Sequence, residues 1–291
     1  MLLRLSFVTP SAARRMAIRC GAAAVLALSV AGCSTVHSWF GGGETTVVHD
    51  ESADQLYNEA LYNLHQKEYS QALLKFQEVD KQHPYTDRAA KAIMMVAYVN
   101  YTRGDYDSTI EAAKRYLTLY PGNEDAAYAQ YLLAMSYYNQ IPDVARDQAD
   151  TARALAALQA VEQKYPKSEY AAAAHKRIQV ARDQLAGHEL MIGRYYLDRR
   201  DYVGAINRFR DVVTKYQDTR EVEEALARLA EAYMALGIVN EAQTAAAILG
   251  HNYPSSQWYH DTYTLIKSKG LEPREDTGSW ISKAFKKVGL G

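Results

Sequence analysis

The stretch Leu56–Pro84 reads LYNEALYNLHQKEYSQALLKFQEVDKQHP and sets a pattern that the rest of the chain repeats. Its small, aromatic and proline residues have fixed places, at Ala60, Tyr69, Ala72, Phe76 and Pro84. A pair of antiparallel helices explains these places. Ala60 and Ala72, one on each helix, allow the two axes to approach to about 8–10 Å. Pro84 ends the second helix, because proline lacks the backbone N–H and clashes with the preceding turn.

The same pattern returns four more times along the chain. The second-helix small residues are Ala72, Thr109, Ala154, Ala205 and Ala242, with gaps of 37, 45, 51 and 37 residues. These gaps equal or exceed the roughly 34-residue period of tetratricopeptide repeats. In the third copy a segment around IPDVARDQ lengthens the turn between the helices. The pattern predicts an all-α fold, a right-handed α-solenoid of about five tetratricopeptide-like helix pairs; the alternative is an unrelated helical bundle.

Composition excludes several classes of protein. The chain has 291 residues, with 33 basic and 34 acidic side chains and a formal net charge of −1. Neither a channel nor a nucleic-acid binder fits a near-neutral chain of helical repeats. We therefore expect one or two helical domains and no nucleic acid among the partners.

The N-terminus has the features of a bacterial signal peptide. Residues 1–32 contain four arginines and no acidic residue, and the apolar run at 22–31 is too short to span a bilayer. The sequence Val30-Ala31-Gly32-Cys33 resembles the lipobox of lipoproteins, so we predict cleavage before Cys33. That resemblance implies a diacylglycerol and an amide-linked acyl chain on Cys33 and no other cofactor. The alternative is an ordinary buried cysteine behind a secretory signal.

Cys33 would be the only cysteine of the mature chain, so no disulfide is expected. Ser34 resembles the residue that permits export to the outer membrane, which implies a chain anchored in the inner leaflet of that membrane and facing the periplasm. Residues 33–51 contain three consecutive glycines and few periodic apolar residues. They are predicted to form a flexible tether, followed by a first helix capped by Ser52 or Asp54.

Residues 52–166 are predicted to form repeats one to three, and their first helices carry a second pattern. Apolar and aromatic residues stand at i, i+4 and i+7, which is one face of a helix. Besides Leu64, this stripe contains Tyr57, Leu61, Met94, Tyr98, Tyr101, Tyr131, Met135 and Tyr138. Side by side, the stripes would form an aromatic groove for a substrate peptide; the equal alternative is that they are core between helices.

Residues 167–270 are predicted to form repeats four and five, which dock a partner. The positions that correspond to the stripe are more polar there, for example Arg194 and Glu231. Between Pro166 and Tyr202 only glycines interrupt the helical spacing. Repeat four should therefore open with one unusually long helix.

The lipobox, the five repeats, the segment YYLDRRDYVGAINR at 195–208 and KYQDT at 215–219 resemble the BamD (ComL) family of β-barrel assembly lipoproteins. The resemblance implies a non-catalytic subunit of the outer-membrane protein assembly (BAM) complex. Its C-terminal half would dock on the last POTRA domain of BamA, beside other BAM lipoproteins. Its N-terminal half would receive the C-terminal segments of nascent outer-membrane β-barrel proteins.

The resemblance also assigns roles to individual residues. Arg208, preceded by Asn207, matches the family arginine that pairs with an acidic residue of BamA, a role that suits a planar guanidinium. Tyr195 and Tyr196 match tyrosines near the bend between the halves, which implies a contact between the two halves; the equal alternative is that they are core residues. Where the family commonly has Tyr-Pro, this chain has Tyr216 followed by a glutamine.

Residues 271–291 are predicted to form a basic amphipathic tail. Trp280, Ile281 and Phe285 share one face, and three lysines lie opposite. Our hypothesis is docking of the tail on another assembly subunit. The alternatives are the membrane surface and folding back onto the last repeat as a capping helix.

No catalytic or metal-binding motif accompanies these features. His188-Glu189 lacks the second histidine of HExxH, and no phosphate-binding glycine loop or nucleophile elbow is present. We predict no enzyme activity and no metal. The alternative function is a periplasmic tetratricopeptide lipoprotein that regulates cell-wall synthesis or division.

Overall fold

The computed structural model describes residues 51–287, which contain twelve α-helices and no strand. The helices are α1 Ala53–His65, α2 Tyr69–Gln82, α3 Asp87–Arg103, α4 Tyr106–Leu119, α5 Ala126–Tyr138, α6 Ala149–Lys164, α7 Glu169–Asp198, α8 Tyr202–Lys215, α9 Val222–Ala235, α10 Val239–Asn252, α11 Gln257–Ser268 and α12 Trp280–Lys287. The predicted signal peptide, Cys33 and nearly all of the tether lie outside the described residues.

The helices α1 to α10 form five successive pairs, as the sequence pattern predicts. Each odd-numbered helix packs against its even-numbered partner and also against the next odd-numbered helix. Within these five pairs of the described chain, the backbones of successive even-numbered helices do not approach one another closely, although Asp80 of α2 and Arg115 of α4 form an ion pair. The first helices therefore form a continuous layer, and grooves separate the second helices. This arrangement confirms the all-α repeat fold.

The small residues of the repeat pattern lie where paired helices cross. Ala60, Ala72, Ala205 and Ala242 are fully buried, and so are Phe76 and Phe209 beside them. The closest approach is at Gly193 in α7, where a Cβ atom would lie 2.3 Å from a ring carbon of Phe209 in α8. Small side chains at these points allow the backbones to approach closely enough to bury the aromatic rings.

Local signals set the helix ends. Ser52 caps α1 in a capping box with Gln55, which decides between the two predicted caps. Asp105 and Asp201 accept hydrogen bonds from the first-turn amides of α4 and α8. Gly104 adopts φ +77° after α3, a left-handed conformation that a side chain would strain.

Two irregular features join the third and fourth repeats. The predicted insertion lies between α5 and α6, at residues 139–148. The predicted long helix is α7, with 30 residues. Both predictions are confirmed.

The tail folds back on the chain. Helix α11 packs against α9 and so continues the layer of first helices, while α12 returns to pack against α8 and α10. Ile281 and Phe285 are fully buried, whereas Lys283 and Lys286 are exposed. The hypothesis that the apolar face of the tail docks on another subunit, or on a membrane, is therefore wrong. Folding back is correct, because the groove between α8 and α10 already supplies an apolar surface.

Specific hydrogen bonds hold α12 in this groove. The indole Nε1–H of Trp280 donates to the Tyr233 hydroxyl at 3.0 Å, and the Arg210 guanidinium stacks on the indole at 5.0 Å. At the other end, the Gln217 amide donates to the carbonyl of Ala284 at 3.0 Å. The glutamine that departs from the family pattern is thus the residue that binds the end of the tail.

Among residues 51–287, no helix combines the length and the apolar character needed to cross a bilayer.

Candidate functional site

The stripe on repeats one to three is part core and part surface. Tyr57, Met94 and Met135 are at most 8% exposed and belong to the core. Tyr98 is exposed, and the remaining predicted groove residues are half-buried: Leu61, Tyr101, Tyr131 and Tyr138. Some stripe residues are therefore core between helices, and others belong to a surface that a peptide could contact. On each first helix one side is buried within the repeat, and the neighbouring positions face outward.

The outward positions belong to a cluster of tyrosines from three first helices. Tyr98 and Tyr101 come from α3, Tyr128 and Tyr131 from α5, and Tyr170 from α7. The ring centroids of Tyr128 and Tyr131 each lie 5.2 Å from that of Tyr170. Burial, together with the neighbouring phenols, raises the pKa of Tyr128 to about 12. This tyrosine cluster is a neutral aromatic surface at physiological pH, suited to stacking with aromatic side chains.

Polar groups border the tyrosine cluster. The Arg177 guanidinium lies 5.9 Å from the ring centroid of Tyr131 and 5.8 Å from that of Tyr138. The Asn139 amide donates to the Tyr101 hydroxyl at 3.1 Å. A cation held over aromatic rings can also accept a peptide carboxylate. The sequence pattern did not identify Tyr128, Tyr170 or Arg177, because their proximity depends on how neighbouring repeats stack.

In the C-terminal half, charged residues lie on the layer of first helices, where the N-terminal half has tyrosines. Arg194 in α7 and Arg228 in α9 both bind the carboxylate of Glu224, which is only 7% exposed. Arg228 also stacks on Trp258 of α11 at 5.2 Å. The hydrogen bond to Glu224 raises the pKa of Arg194, so its charge is fixed. The two halves therefore present different chemistry, as the sequence predicts.

Arg208 lies on a separate surface in repeat four. Its guanidinium donates to the Glu189 carboxylate of α7 at 3.0 Å, and 39% of its side chain is exposed. The hydrogen bond to Glu189 raises the pKa of Arg208. Arg208 and Asn207 line a shallow cleft of about 280 Å³ that also contains Asp201 and Asp211. The predicted docking pair is thus accessible from solvent, and Glu189 already orients its arginine.

Tyr195 and Tyr196 lie near the C-terminal end of α7. Their ring centroids are 5.8 Å apart, and Arg199 covers the exposed ring of Tyr195 at 4.4 Å. Tyr196 packs against the core of repeats four and five. These contacts all lie in the C-terminal half, so a contact between the two halves through this pair stays a prediction.

The inserted loop at residues 139–148 connects the third repeat with the long helix α7. Gln184 donates to the carbonyl of Pro142 at 2.9 Å, and His188 Nδ1 lies 2.6 Å from the carbonyl oxygen of Val144. Gln148 donates to the carbonyl of Asp143 within the loop. The loop thereby ties the third repeat to the middle of α7, a contact that the sequence pattern did not predict.

The histidine and carboxylate side chains were also compared with the geometry of a metal site. Within residues 51–287, no group of three or more histidine, cysteine, aspartate or glutamate side chains is placed to hold a metal ion. In the His188-Glu189 pair, His188 contacts the inserted loop and Glu189 pairs with Arg208. Both residues are therefore engaged in structural contacts.

Comparisons with known proteins relate the chain to one family. A family model described as YfiO, outer membrane lipoprotein, matches residues 49–249. The outer membrane protein assembly factor BamD of Caulobacter vibrioides is 42% identical over 253 residues, which are 87% of this chain and 81% of the relative. The BamD of Rickettsia prowazekii is 40% identical over 73% of this chain and 85% of the relative.

A third relative and one solved structure extend these comparisons. The BamD of Neisseria meningitidis serogroup A is 30% identical over 79% of this chain and 90% of the relative. A tetratricopeptide-repeat protein of Thermus thermophilus is 18% identical, with a TM-score of 0.33, and the match covers 74% of this chain and 98% of that protein.

Proposed function

Since this chain belongs to the YfiO family of outer membrane lipoproteins, we propose that it is an outer membrane protein assembly factor that binds partners on two surfaces. The relationship to the Caulobacter BamD carries the proposal, because 42% identity extends over most of both chains. The protein acts by holding its partners in position and not by catalysis. Family membership also supports acylation of Cys33 and attachment to the outer membrane.

The surface around Arg208 is the docking site for the barrel-forming subunit, BamA. An arginine held by one carboxylate and exposed on its other side can add a second acidic partner without moving. The acidic residues of the same cleft keep a misaligned acidic surface away, which favours one orientation of the complex. The tail helix leaves this side of α8 open, since it contacts Arg210 of α8 and Gln217, two residues beyond the end of α8.

The tyrosine cluster receives the nascent barrel protein. Its rings supply stacking area at low entropic cost, and Arg177 supplies a positive charge for a terminal carboxylate. The inserted loop ties the third repeat, which carries Tyr128 and Tyr131, to α7, the helix that carries both Tyr170 and Glu189. A precursor bound at the cluster is therefore held at a fixed distance from the docking surface.

Arg208→Glu is expected to abolish recovery of BamA when the mature chain is purified from its own envelope. The reversal places two carboxylates, residues 189 and 208, side by side and repels an acidic partner. Mass spectrometry of the purified complex is the measurement. The matched control is Arg153→Glu, which reverses an exposed, ion-paired arginine on α6 and should leave recovery unchanged.

Circular dichroism separates loss of docking from loss of fold, because both variants should show unchanged helicity. If cell-wall synthases and no barrel protein are purified with the wild type, the assembly function is wrong. The alternative function, regulation of cell-wall synthesis or division, would then be correct.

Tyr98→Ala is expected to weaken the binding of a peptide with a C-terminal aromatic residue by about tenfold, as removal of a contact near the centre of an interface does. Tyr98 is 36% exposed, so the fold should tolerate its loss. Fluorescence anisotropy with a labelled peptide from a barrel protein gives the affinity. Tyr62→Ala, on α1 outside the stripe, is the control. Equal affinity of both variants would remove the cluster from the substrate site.

A further inference from the structure

Repeats one and two correspond to repeats four and five at a constant offset. Each of four marker residues precedes its counterpart by 133 positions, without insertions: Ala72 and Ala205, Ala97 and Ala230, Thr109 and Ala242, and Pro121 and Pro254. The groove between α8 and α10 therefore has a counterpart between α2 and α4. Helix α12 occupies the first of these grooves.

Four residues of the C-terminal groove hold α12 and the segment before it. Arg210 stacks on Trp280, and Tyr233 accepts the indole N–H. Glu241 accepts the hydroxyl of Ser279, and Thr244 accepts the backbone amide of residue 276 at 3.1 Å. These contacts fix where the helix begins and which face it turns to the groove.

The counterparts of those four residues all line one cavity. They are Gln77, Asn100, Ser108 and Glu111, around a cavity of about 420 Å³ between α2 and α4. Its lining also has apolar side chains, of which Leu73, Val96 and Ala112 are partly exposed and Phe76 and Ile93 are buried beneath them. The N-terminal groove thus has an apolar surface and polar positions in the same arrangement as the groove that binds α12.

The groove continues toward the C-terminal ends of α2 and α4. Asp80 and Arg115, which form an ion pair across the groove at 2.5 Å, line both this cavity and a second one of about 290 Å³. At the far end lie Leu119, which is 41% exposed, and Tyr85, which is 84% exposed. Two apolar side chains open to solvent at the end of a groove extend the contact surface available to a helix.

We propose that the groove between α2 and α4 binds a short amphipathic helix from another protein, with a tryptophan or tyrosine in its first turn and a basic residue one turn earlier. The aromatic position follows from Trp280, whose indole N–H meets Tyr233; Asn100 takes that place here and can accept the same hydrogen bond. The basic position follows from Glu111. This carboxylate replaces Thr244, and its side chain forms no ion pair within residues 51–287.

The same position selects against the chain's own tail. The backbone amide of Asp276 lies against Thr244, and its carboxylate accepts the amide of Gly278 in the same turn. An aspartate at this place in the N-terminal groove would bring its carboxylate near that of Glu111. A lysine at that position would be attracted instead. The two grooves therefore share a shape and differ in the charge that they accept.

Two peptides test this proposal against the full-length mature chain, made soluble by Cys33→Ser. One has the sequence of residues 274–291, and the other carries Asp276→Lys. We expect the lysine peptide to bind about fivefold more tightly than the other in fluorescence anisotropy. Ala112→Arg in the groove should abolish the binding, and Glu111→Gln should remove the preference for lysine.

Ala112→Ser is the matched control and should bind like the wild type, and α-helical circular dichroism verifies that each variant is folded. Failure of both peptides to bind, or binding that Ala112→Arg leaves unchanged, overturns the proposal. Analytical ultracentrifugation tests whether the groove instead binds a second copy of the chain. If the chain self-associates and Ala112→Arg abolishes that self-association, the proposal of a different partner protein is overturned.

Discussion

Phe285→Ala is expected to release the C-terminal helix from the repeats. The Phe285 ring is fully buried in the core that α12 shares with α8 and α10. Removing a buried phenylalanine side chain costs about 3–5 kcal/mol. An eight-residue helix is too short to be stable alone. The loss therefore detaches the helix and leaves the rest of the molecule folded.

Hydrogen exchange measures this release. Backbone amides of residues 280–287 should lose their protection from exchange in Phe285→Ala. The hydrogen bond from the Gln217 side chain to the Ala284 carbonyl should be lost with them. Amides of α1 to α6 should stay as protected as in the wild type, because α12 contacts α8, α9 and α10 and, among the described helices, does not approach α1 to α6. Tyr263→Ala, which removes a 37% exposed ring from α11, is the control. Unchanged protection in α12 would contradict the packing described for the tail.

Gly193→Val is expected to lower the free energy of unfolding by about 3 kcal/mol, a typical cost for overfilling a packed core. A Cβ atom at position 193 would lie 2.3, 2.7 and 2.8 Å from three carbons of the Phe209 ring. Phe209 is fully buried, so its ring cannot move away without disturbing its neighbours. Urea unfolding followed by circular dichroism gives the change in stability.

Gly250→Val is the matched control. A Cβ atom there would also lie 2.3 Å from an aromatic ring, that of Tyr259. Tyr259 is half-buried near the end of the repeats, so its ring can swing toward solvent. The change at Gly250 should cost less than about 1 kcal/mol, since valine is also a better helix former than glycine. Equal losses at both positions would mean that ring mobility does not decide the cost.

The repeat spacing predicted most of the fold. Small residues recur where two helices cross, and a proline follows the second helix in every repeat but the fourth, so the five pairs can be counted from Ala72, Ala205 and their equivalents. The insertion at 139–148 and the 30-residue helix α7 follow from the same count. These features are local in the chain, and each depends on residues less than one repeat apart.

The candidate sites were predicted less completely. The stripe identified Tyr98, Tyr101 and Tyr131 but not Tyr170, whose ring reaches them from the next repeat. It also included Tyr57 and Met94, which are buried, because helical spacing alone does not separate two adjacent faces of one helix. Arg208 was identified by resemblance. Its partner Glu189, nineteen residues away, was found only in the structure.

By itself, the sequence determined the helix pairs, their order, the long helix and the difference in polarity between the two halves, because these depend on spacing and residue type along the chain. Only the tertiary structure decided which face of each stripe is buried, how tyrosines of three repeats meet, and that the tail fills a groove in its own repeats. Those outcomes depend on which surfaces are already covered when the repeats stack. Whether a residue is buried depends on the neighbouring repeats, so it cannot be inferred from the sequence of a single repeat.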